Sequence, residues 1–512
     1  MAYIYGTHDT TVGDTINGTN EQDVIYLYEG DDKAFGLWGN DFIYGGDGKD
    51  TLDGGYGSDY LTGDAGDDVI SGGSGADDIY GGAGKDKLLG GDGDDRITLG
   101  SYTDLIGDTV DGGDGIDTLY ANFFGQASRV RFIAKDYLVA NNGAFNLVGV
   151  EQFSLTGTAL NDQLVGWSLN DVLSGADGDD AIDGKGGADS LYGGVGADTM
   201  TGGNGGDYMV DDLGADSLDG GNGNDSMYGG GDNDTLVGGR GFNQMSGDNG
   251  NDLVQGGDQG NYLYDNGDGN DTLLGGDATD YCYSGLGADS VSGGKGTDYF
   301  YWSSDLGGKD TIDGGSGIDY VYFSGSTGVY LDLQNQGNSA GSAEADTFSN
   351  IEYFVGSGYD DVMIGGSDND SFNGNSADDV LMGGGGNDTL AGAAGSDELT
   401  GGRGNDYFVL DNGSDSYGTY WTADIITDFD RGSDKLRISL YNFGFGSDPA
   451  NFSLVVGSNP SATGSAPQFL FDTSTHRLFW DGDGAGGDRD PLLIATLEGV
   501  NNLAKSDFDF VS

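Results

Sequence analysis

The chain has 512 residues, 104 of them glycine and only 4 proline, with a formal net charge of -68 at neutral pH. So much like charge repels nucleic acid and anionic lipid headgroups, and it opposes compaction until something cationic neutralises it. One cysteine and two histidines exclude a disulfide framework and histidine-based zinc sites as organising principles.

The kind of acid is informative too. Of the 87 acidic residues, 80 are Asp and 7 are Glu. Solvating acidic tracts use Glu freely, whereas Asp dominates where short carboxylates sit in tight turns or ligate a metal. At 36% hydrophobic and 11% aromatic content the chain is too apolar for simple disorder. No stretch has the apolar length of a membrane span. Met1 to Thr10 has neither a basic n-region nor an apolar h-region, so no amino-terminal signal peptide is expected.

From about Gly18 the sequence falls into nine-residue units of the form G-G-x-G-x-D-x-U-x, where U is large and apolar. This nonapeptide is a known signature of calcium-binding parallel β-helices. Glycine permits positive φ and close backbone approach in the first six residues. That turn aims backbone carbonyls and the sixth-place Asp at one point, an all-oxygen site for a hard cation. The last three residues form a short strand whose middle side chain points inward. Two units then make one 18-residue turn with strands on two facing sheets. The expected fold is all-β: a parallel β-roll in three blocks with two insertions and a C-terminal β cap. About 25 to 30 calcium ions between turns would cancel roughly 50 to 60 charges. A single GGxGxD is an ordinary glycine turn, but a long series in register is not. No D-x-D-x-D-G loop with Glu at its twelfth place appears, which excludes an EF-hand.

The first roll block is expected over residues 1–120. Six unbroken units run from Gly45 to Thr98, beginning GGDGKDTLD, GGYGSDYLT and GDAGDDVIS. Its candidate ligands are Asp50, Asp59, Asp68, Asp77, Asp86, Asp95 and Asp117. An insertion follows over 121–155. The second block, 156–322, carries its main series from Gly175 to Tyr322. It offers Asp180, Asp189, Asp198, Asp207, Asp216, Asp225, Asp234, Asp252, Asp271, Asp280, Asp289, Asp298 and Asp319. A second insertion covers 323–355. The third block, 356–409, offers Asp361, Asp370, Asp379, Asp388, Asp397 and Asp406. The insertions match in length: Asp117 to Glu151 spans 34 positions and Asp319 to Glu352 spans 33, which reads as duplication of a larger module. Alternating Val329, Leu331 and Leu333 make the second insertion strand or cap rather than linker. Over 410–512 glycine thins and alternating runs appear at Ala423 to Leu440 and Gln468 to Trp480, as expected for a cap.

On these repeats the chain resembles RTX (hemolysin-type calcium-binding repeat) proteins exported by type I secretion, over nearly its whole length. The segments ADIITDFDRGSDKLRISL and LFWDGDGAGGDRDPLLIATLEGV are similar to the region that follows the repeats in serralysin-type proteases. The resemblance implies that this region caps the roll and carries an uncleaved export signal read by the type I secretion machinery. The tail, Asp507 to Ser512, is similar to the family's acidic-then-apolar end but closes on Ser.

Members of that family carry enzymes or toxins upstream of the repeats, whereas here the repeats begin almost at Met1, so no such domain is expected. There is no H-E-x-x-H, and His8 and His476 cannot supply one. No G-x-S-x-G elbow is present. A carboxylate pair for glycoside chemistry is conceivable among the Asp residues, but sixth-place ligation accounts for almost all of them. Cys282 occupies an inward U place, as a small core residue would.

The 29 tyrosines are sided. With alternate units assigned to opposite sheets, one sheet carries outward Tyr192, Tyr208, Tyr228, Tyr262, Tyr264, Tyr281, Tyr283, Tyr299, Tyr301, Tyr320 and Tyr322, and in the first block Tyr26, Tyr44, Tyr60 and Tyr80. Such an aromatic ladder is covered by another part of the chain, by another copy in a lattice or fibre, or by a surface polysaccharide. The sequence thus points to a secreted, extracellular or cell-surface, non-enzymatic calcium-binding protein with an S-layer-like or matrix role. The alternatives are a soluble, toxin-like effector or host-interaction factor and, further off, a sugar-active enzyme.

Overall fold

The fold is described from a computed structural model over residues 1–8, 13–100, 107–133, 137–140, 143–283, 285–303, 307–336, 346–410, 423–439, 443, 452–484 and 490–511. Leu440 and the terminal Ser512 lie outside these residues. The chain divides into two compact units, Met1–Tyr262 and Leu263–Ser512, a boundary inside the segment expected as the second block.

Each unit is a parallel β-solenoid. In the first, Phe42–Asp47 pairs with Tyr60–Ala65, which pairs with Asp78–Tyr80. On the facing sheet Thr51–Tyr56 pairs with Val69–Ser74, and that with Lys87–Asp92. Paired residues such as Ile43 and Leu61 lie one 18-residue turn apart. The nine-residue period causes this, because each unit supplies one strand and the next returns the chain on the other sheet.

The U residues stack into the core. Ile43, Leu61, Ile79 and Ile97 line one sheet and Leu52, Ile70 and Leu88 the other, all fully buried. Burying such a side chain stabilises the fold by about 1.5–3 kcal/mol. One per nine residues makes a thin core, so the turns must contribute as well.

The two insertions leave one sheet intact. In the first unit Thr118–Asn122 pairs directly with Gln152–Thr156, while Val130–Ile133, Tyr137–Ala140 and Gly143–Val148 form an antiparallel excursion on the other sheet. In the second unit Tyr320–Ser324 pairs directly with Tyr353–Val355. Its facing strand Thr311–Gly317 pairs with Thr347–Ser349, and Tyr330–Asp332 opens a new run through Val362–Ile364. Val329 and Leu331 are buried, as their alternation predicts. Both insertions re-enter the roll through the same bonds. Asp117 N–H donates to Glu151 Oε2 (3.0 Å) and Asp319 N–H to Glu352 Oε2 (2.8 Å). Val130 N–H donates to Asp162 Oδ1, and Val329 N–H to Asp361 Oδ1.

Past residue 422 the pairing changes. Gln468–Asp472, Arg477–Asp481 and Leu492–Leu497 run antiparallel, and Phe508–Val511 adds in parallel to Lys435–Ser439. Phe452, Phe469, Trp480 and Phe508 pack together there, a denser apolar cluster than any single repeat provides. Among the described residues no helix is long and apolar enough to cross a membrane.

Candidate metal sites

Every Asp predicted as a ligand is buried. Each repeat holds its Asp in the same way. The backbone N–H of Asp32 donates to Asp50 Oδ1 and that of Asp50 to Asp68 Oδ1, both at 2.8 Å. A second file runs through Asp41, Asp59, Asp77 and Asp95. In unit two, Asp280 N–H donates to Asp298 Oδ1 and Asp298 N–H to Asp319 Oδ1. One carboxylate oxygen is thereby fixed by the preceding turn.

The other oxygen is left over. Oδ2 of Asp50, Asp59, Asp68, Asp77, Asp298, Asp319, Asp379 and Asp388 is buried with no hydrogen-bond donor. It faces more oxygen: a β-carbon at Gly45 would lie 2.6 Å from Asp50 Oδ2 and 2.7 Å from the carbonyl oxygen of Gly63, one turn on. Gly229 is placed alike, against Asp234 Oδ2 and the Gly247 carbonyl. Crowding by oxygen therefore dictates the first glycine. The second and fourth are dictated by φ, at +100° for Gly46 and +142° for Gly48.

Buried acceptors that converge without a donor are costly. Burial is the main cause that pushes the Asp68 and Asp379 carboxyls up to about 8 and that of Asp77 to about 7, with neighbouring carboxylates adding to it and the amide bond to Oδ1 opposing it. Asp50 and Asp59 rise to about 6 for the same reason. An oxygen-only cluster of this kind suits calcium, which takes carboxylate and carbonyl ligands in flexible geometry. The residues present thus fit the ion.

Not every predicted Asp is placed this way. Oδ2 of Asp361 accepts the Ser357 N–H (2.6 Å), and Oδ2 of Asp370 accepts the Gly366 N–H (2.7 Å). Asp162 and Asp171, in unit one, accept Thr158 N–H and Trp167 N–H in the same manner. In these turns an amide proton fills the place that elsewhere faces only oxygen.

Sequence reasoning missed several sixth-place residues. Asp32 and Asp41 continue the two files backward from Asp50 and Asp59, and an 18-residue step would have found them. Asp108, Asp310 and Asp346 carry the files across longer loops, where the nine-residue phase is lost. Asn243 and Asn261 hold two consecutive places of one file, and their amide nitrogens donate to the Gly241 and Gln259 carbonyls.

The tyrosines of the predicted ladder lie on one sheet of each unit, while exposed Tyr56 and Tyr330 lie on other sheets. In the first, Tyr26, Tyr44, Tyr60 and Tyr80 follow one another at 4.7, 5.8 and 5.1 Å between ring centroids. In the second, Tyr264, Tyr283 and Tyr301 stack at 4.8 and 4.6 Å with rings within 17° of parallel. A parallel column runs through Tyr281, Tyr299, Tyr320 and Tyr353. Ring faces in the two second-unit columns cover one another, whereas Tyr44, Tyr60 and Tyr80 are tilted by 44° and 40° from ring to ring. Cys282 is fully buried, and burial holds its thiol protonated.

A family model for the RTX calcium-binding nonapeptide repeat matches residues 10–43, 35–70, 44–79, 71–106, 102–123, 156–191, 174–209, 201–236, 210–245, 228–263, 267–291, 306–322, 355–390 and 382–417, more than half of the chain. Comparison with curated proteins gives no match. Among solved structures, the chain matches the X-ray crystal structure of a hyperactive, Ca2+-dependent, β-helical antifreeze protein from an Antarctic bacterium. Identity is 15%, coverage 81% of this chain and 85% of that one, and the TM-score 0.17.

Proposed function

The chain belongs to the family of RTX calcium-binding nonapeptide repeats, and on that premise we propose that it is exported unfolded and folds on calcium outside the cell, as a non-enzymatic surface or matrix component. The observation that carries this reading is the file of buried Asp Oδ2 atoms facing carbonyl oxygens with no donor. Such a file is unstable without cations and stable with them. Calcium, when bound, supplies two positive charges to each oxygen cluster. The chain's own residues do the rest: the amide of one turn orients each carboxylate, and glycine keeps the cradle free of carbon.

Linkage then sets where folding happens. Where calcium is scarce, the net charge of -68 keeps the chain expanded. Where calcium is abundant, ions that bind only the folded roll stabilise it by mass action. Export through residues 410–512 by a type I machinery is part of the proposal and rests on the serralysin-like segments. Circular dichroism and small-angle scattering in chelator and in calcium test the folding step. The expected result is an expanded chain that gains β-structure on adding calcium; full β-structure in chelator overturns it.

The second-unit tyrosine columns favour self-assembly over polysaccharide binding, because a sugar stacks on an open ring face and the faces within these columns are taken by neighbouring rings. Replacing Tyr264, Tyr283 and Tyr301 with Ser should abolish ordered arrays on producing cells while calcium-induced folding persists. Unchanged arrays would remove the ladder from assembly. A soluble monomer in the medium, with no array, would favour the effector reading instead.

A further inference from the structure

The consensus turn begins with glycine, yet one unit of the first half begins with Asp211, in DDLGADSLD. The backbone places Asp211 where that glycine belongs. Its N–H donates to the Tyr228 carbonyl, as the first-place Gly81 N–H donates to the Thr98 carbonyl. A side chain there projects into the cradle between two turns. A β-carbon at Gly193, one turn earlier, would meet Oδ2 of both Asp211 and Asp198.

Three carboxylates converge as a result. One oxygen each from Asp198, Asp211 and Asp216 lies within 4.8 Å of the others. All three residues are buried, at 1%, 3% and 3% exposure. Their Oδ1 atoms are used: Asp180 N–H donates to Asp198, Asp198 N–H to Asp216, and Gly194 and Asp212 N–H to Asp211. Their Oδ2 atoms are buried and accept nothing. Ordinary turns do not achieve this. Among the described residues three buried acids converge in only one other place, Asp265 with Asp271 and Asp289 in the second unit, where Asp265 Oδ2 accepts the Gly285 N–H. There too the acid at the head of the unit, Asp265 of DNGDGNDTL, stands in the first-glycine place, its N–H donating to the Tyr283 carbonyl.

We infer that Asp211 turns the repeat cradle of Asp198 and Asp216 into a three-carboxylate cation site, one that binds calcium more tightly than an unmodified cradle and prefers trivalent hard cations. The inference rests on the calcium-binding reading above. Affinity of oxygen sites rises with the number of charged ligands and with their rigidity. An ordinary pair of successive turns contributes its two sixth-place carboxylates, whereas this site adds Asp211 as a third, each oriented by backbone amides. Three carboxylates hold a surplus negative charge against a divalent ion and balance a trivalent one. With like charges so close, this cradle also needs its ion more than any ordinary turn does.

The test is calcium and terbium titration of the full chain stripped of cations, followed by calorimetry and terbium luminescence, with β-structure recorded on the same samples. Asp211→Gly restores the consensus residue and should fold; Asp211→Asn keeps the size and removes the charge. The wild type should fill a small class of tight sites before the bulk transition. Both variants should weaken one of these at least tenfold and lose its preference for terbium, while the bulk transition persists. Asp265→Gly should act likewise on the remaining member of the class. If Asp211→Gly binds both ions as the wild type does, or more tightly, Asp211 is only a tolerated substitution and the inference fails. If the wild type gains no β-structure with calcium, the broader folding reading fails instead, and the two failures are read from different signals.

Discussion

Two stretches of the first unit carry the same Asp at the same place and use it differently. In both stretches the Asp Oδ2 stands beside a carbonyl of the next turn, but in residues 45–98, as at Asp50 and Asp68, it has no donor, and the second residue of each turn has positive φ, as at Gly46 and Asp64. In residues 157–171 Oδ2 accepts the N–H of Thr158 or Trp167, and neither residue has positive φ. The comparison separates two functions of one residue. Oδ1 holds the stack together in both, through the amide one turn before. Oδ2 completes a cation cradle in the first stretch and a self-contained turn in the second. One peptide orientation decides between them.

Acid should have the largest effect, and it reaches both kinds of turn, because burial lifts the closed-turn Asp171 and Asp370 to about 6, level with the open-turn Asp50 and Asp59. In a cation-free roll the open-turn carboxyls of Asp68, Asp77 and Asp379 titrate at about 8, 7 and 8, above the ordinary value of about 4. A raised carboxyl stabilises the fold relative to neutral pH when protonated, and that stabilisation is lost as pH rises through 6 to 8. In chelator, lowering the pH from 8 to 5 should therefore increase β-structure. In calcium the sign reverses at the acid end, because protons compete for the same oxygens. Circular dichroism against pH in both conditions checks this; parallel curves would break the comparison.

Charge removal at single turns comes next. Asp59→Asn with Asp77→Asn, both in open turns, should lower the calcium stoichiometry measured by calorimetry and raise the calcium midpoint several-fold. Asp171→Asn, in a closed turn, should leave the stoichiometry unchanged. It sets an amide donor against the Trp167 N–H, and urea unfolding in calcium should show a loss of about 1–3 kcal/mol. An equal effect of both changes on stoichiometry would erase the distinction. The smallest effect concerns strain. Ala377 sits at φ +88° in an open turn, and Ala377→Gly should stabilise the calcium form by about 1 kcal/mol in the same assay.

Much of this was legible in the sequence. The nine-residue period fixes which side chains point inward, so Ile43, Leu61 and Cys282 could be assigned to the core before any coordinates. The same phase put Tyr264, Tyr283 and Tyr301 on one face, and the strand pairing agrees. It failed where its period is broken. Asp108 and Asp346 join the files only because loops of unequal length close on the same place. Glu151 and Glu352 were visible as landmarks of the insertions, but their role as sixth-place acceptors was not.

What the sequence by itself determined is the parallel roll, the sheet each in-phase repeat strand joins and the excess of Asp that calls for cations, because these follow from a period and a charge count. Which Asp faces a cradle was decided only by the tertiary structure. Asn375 and Ala377 adopt positive φ although neither is glycine, while Gly366 does not although it is. The reason is that a cradle is built between two successive turns. The turns at 157–162, 166–171, 356–361 and 365–370 all follow an insertion, and the sequence 18 places before each carries no G-G-x-G-x-D repeat that could supply a partner turn. Their Asp residues accept their own turn's amide instead, and no count of local residues could have shown that.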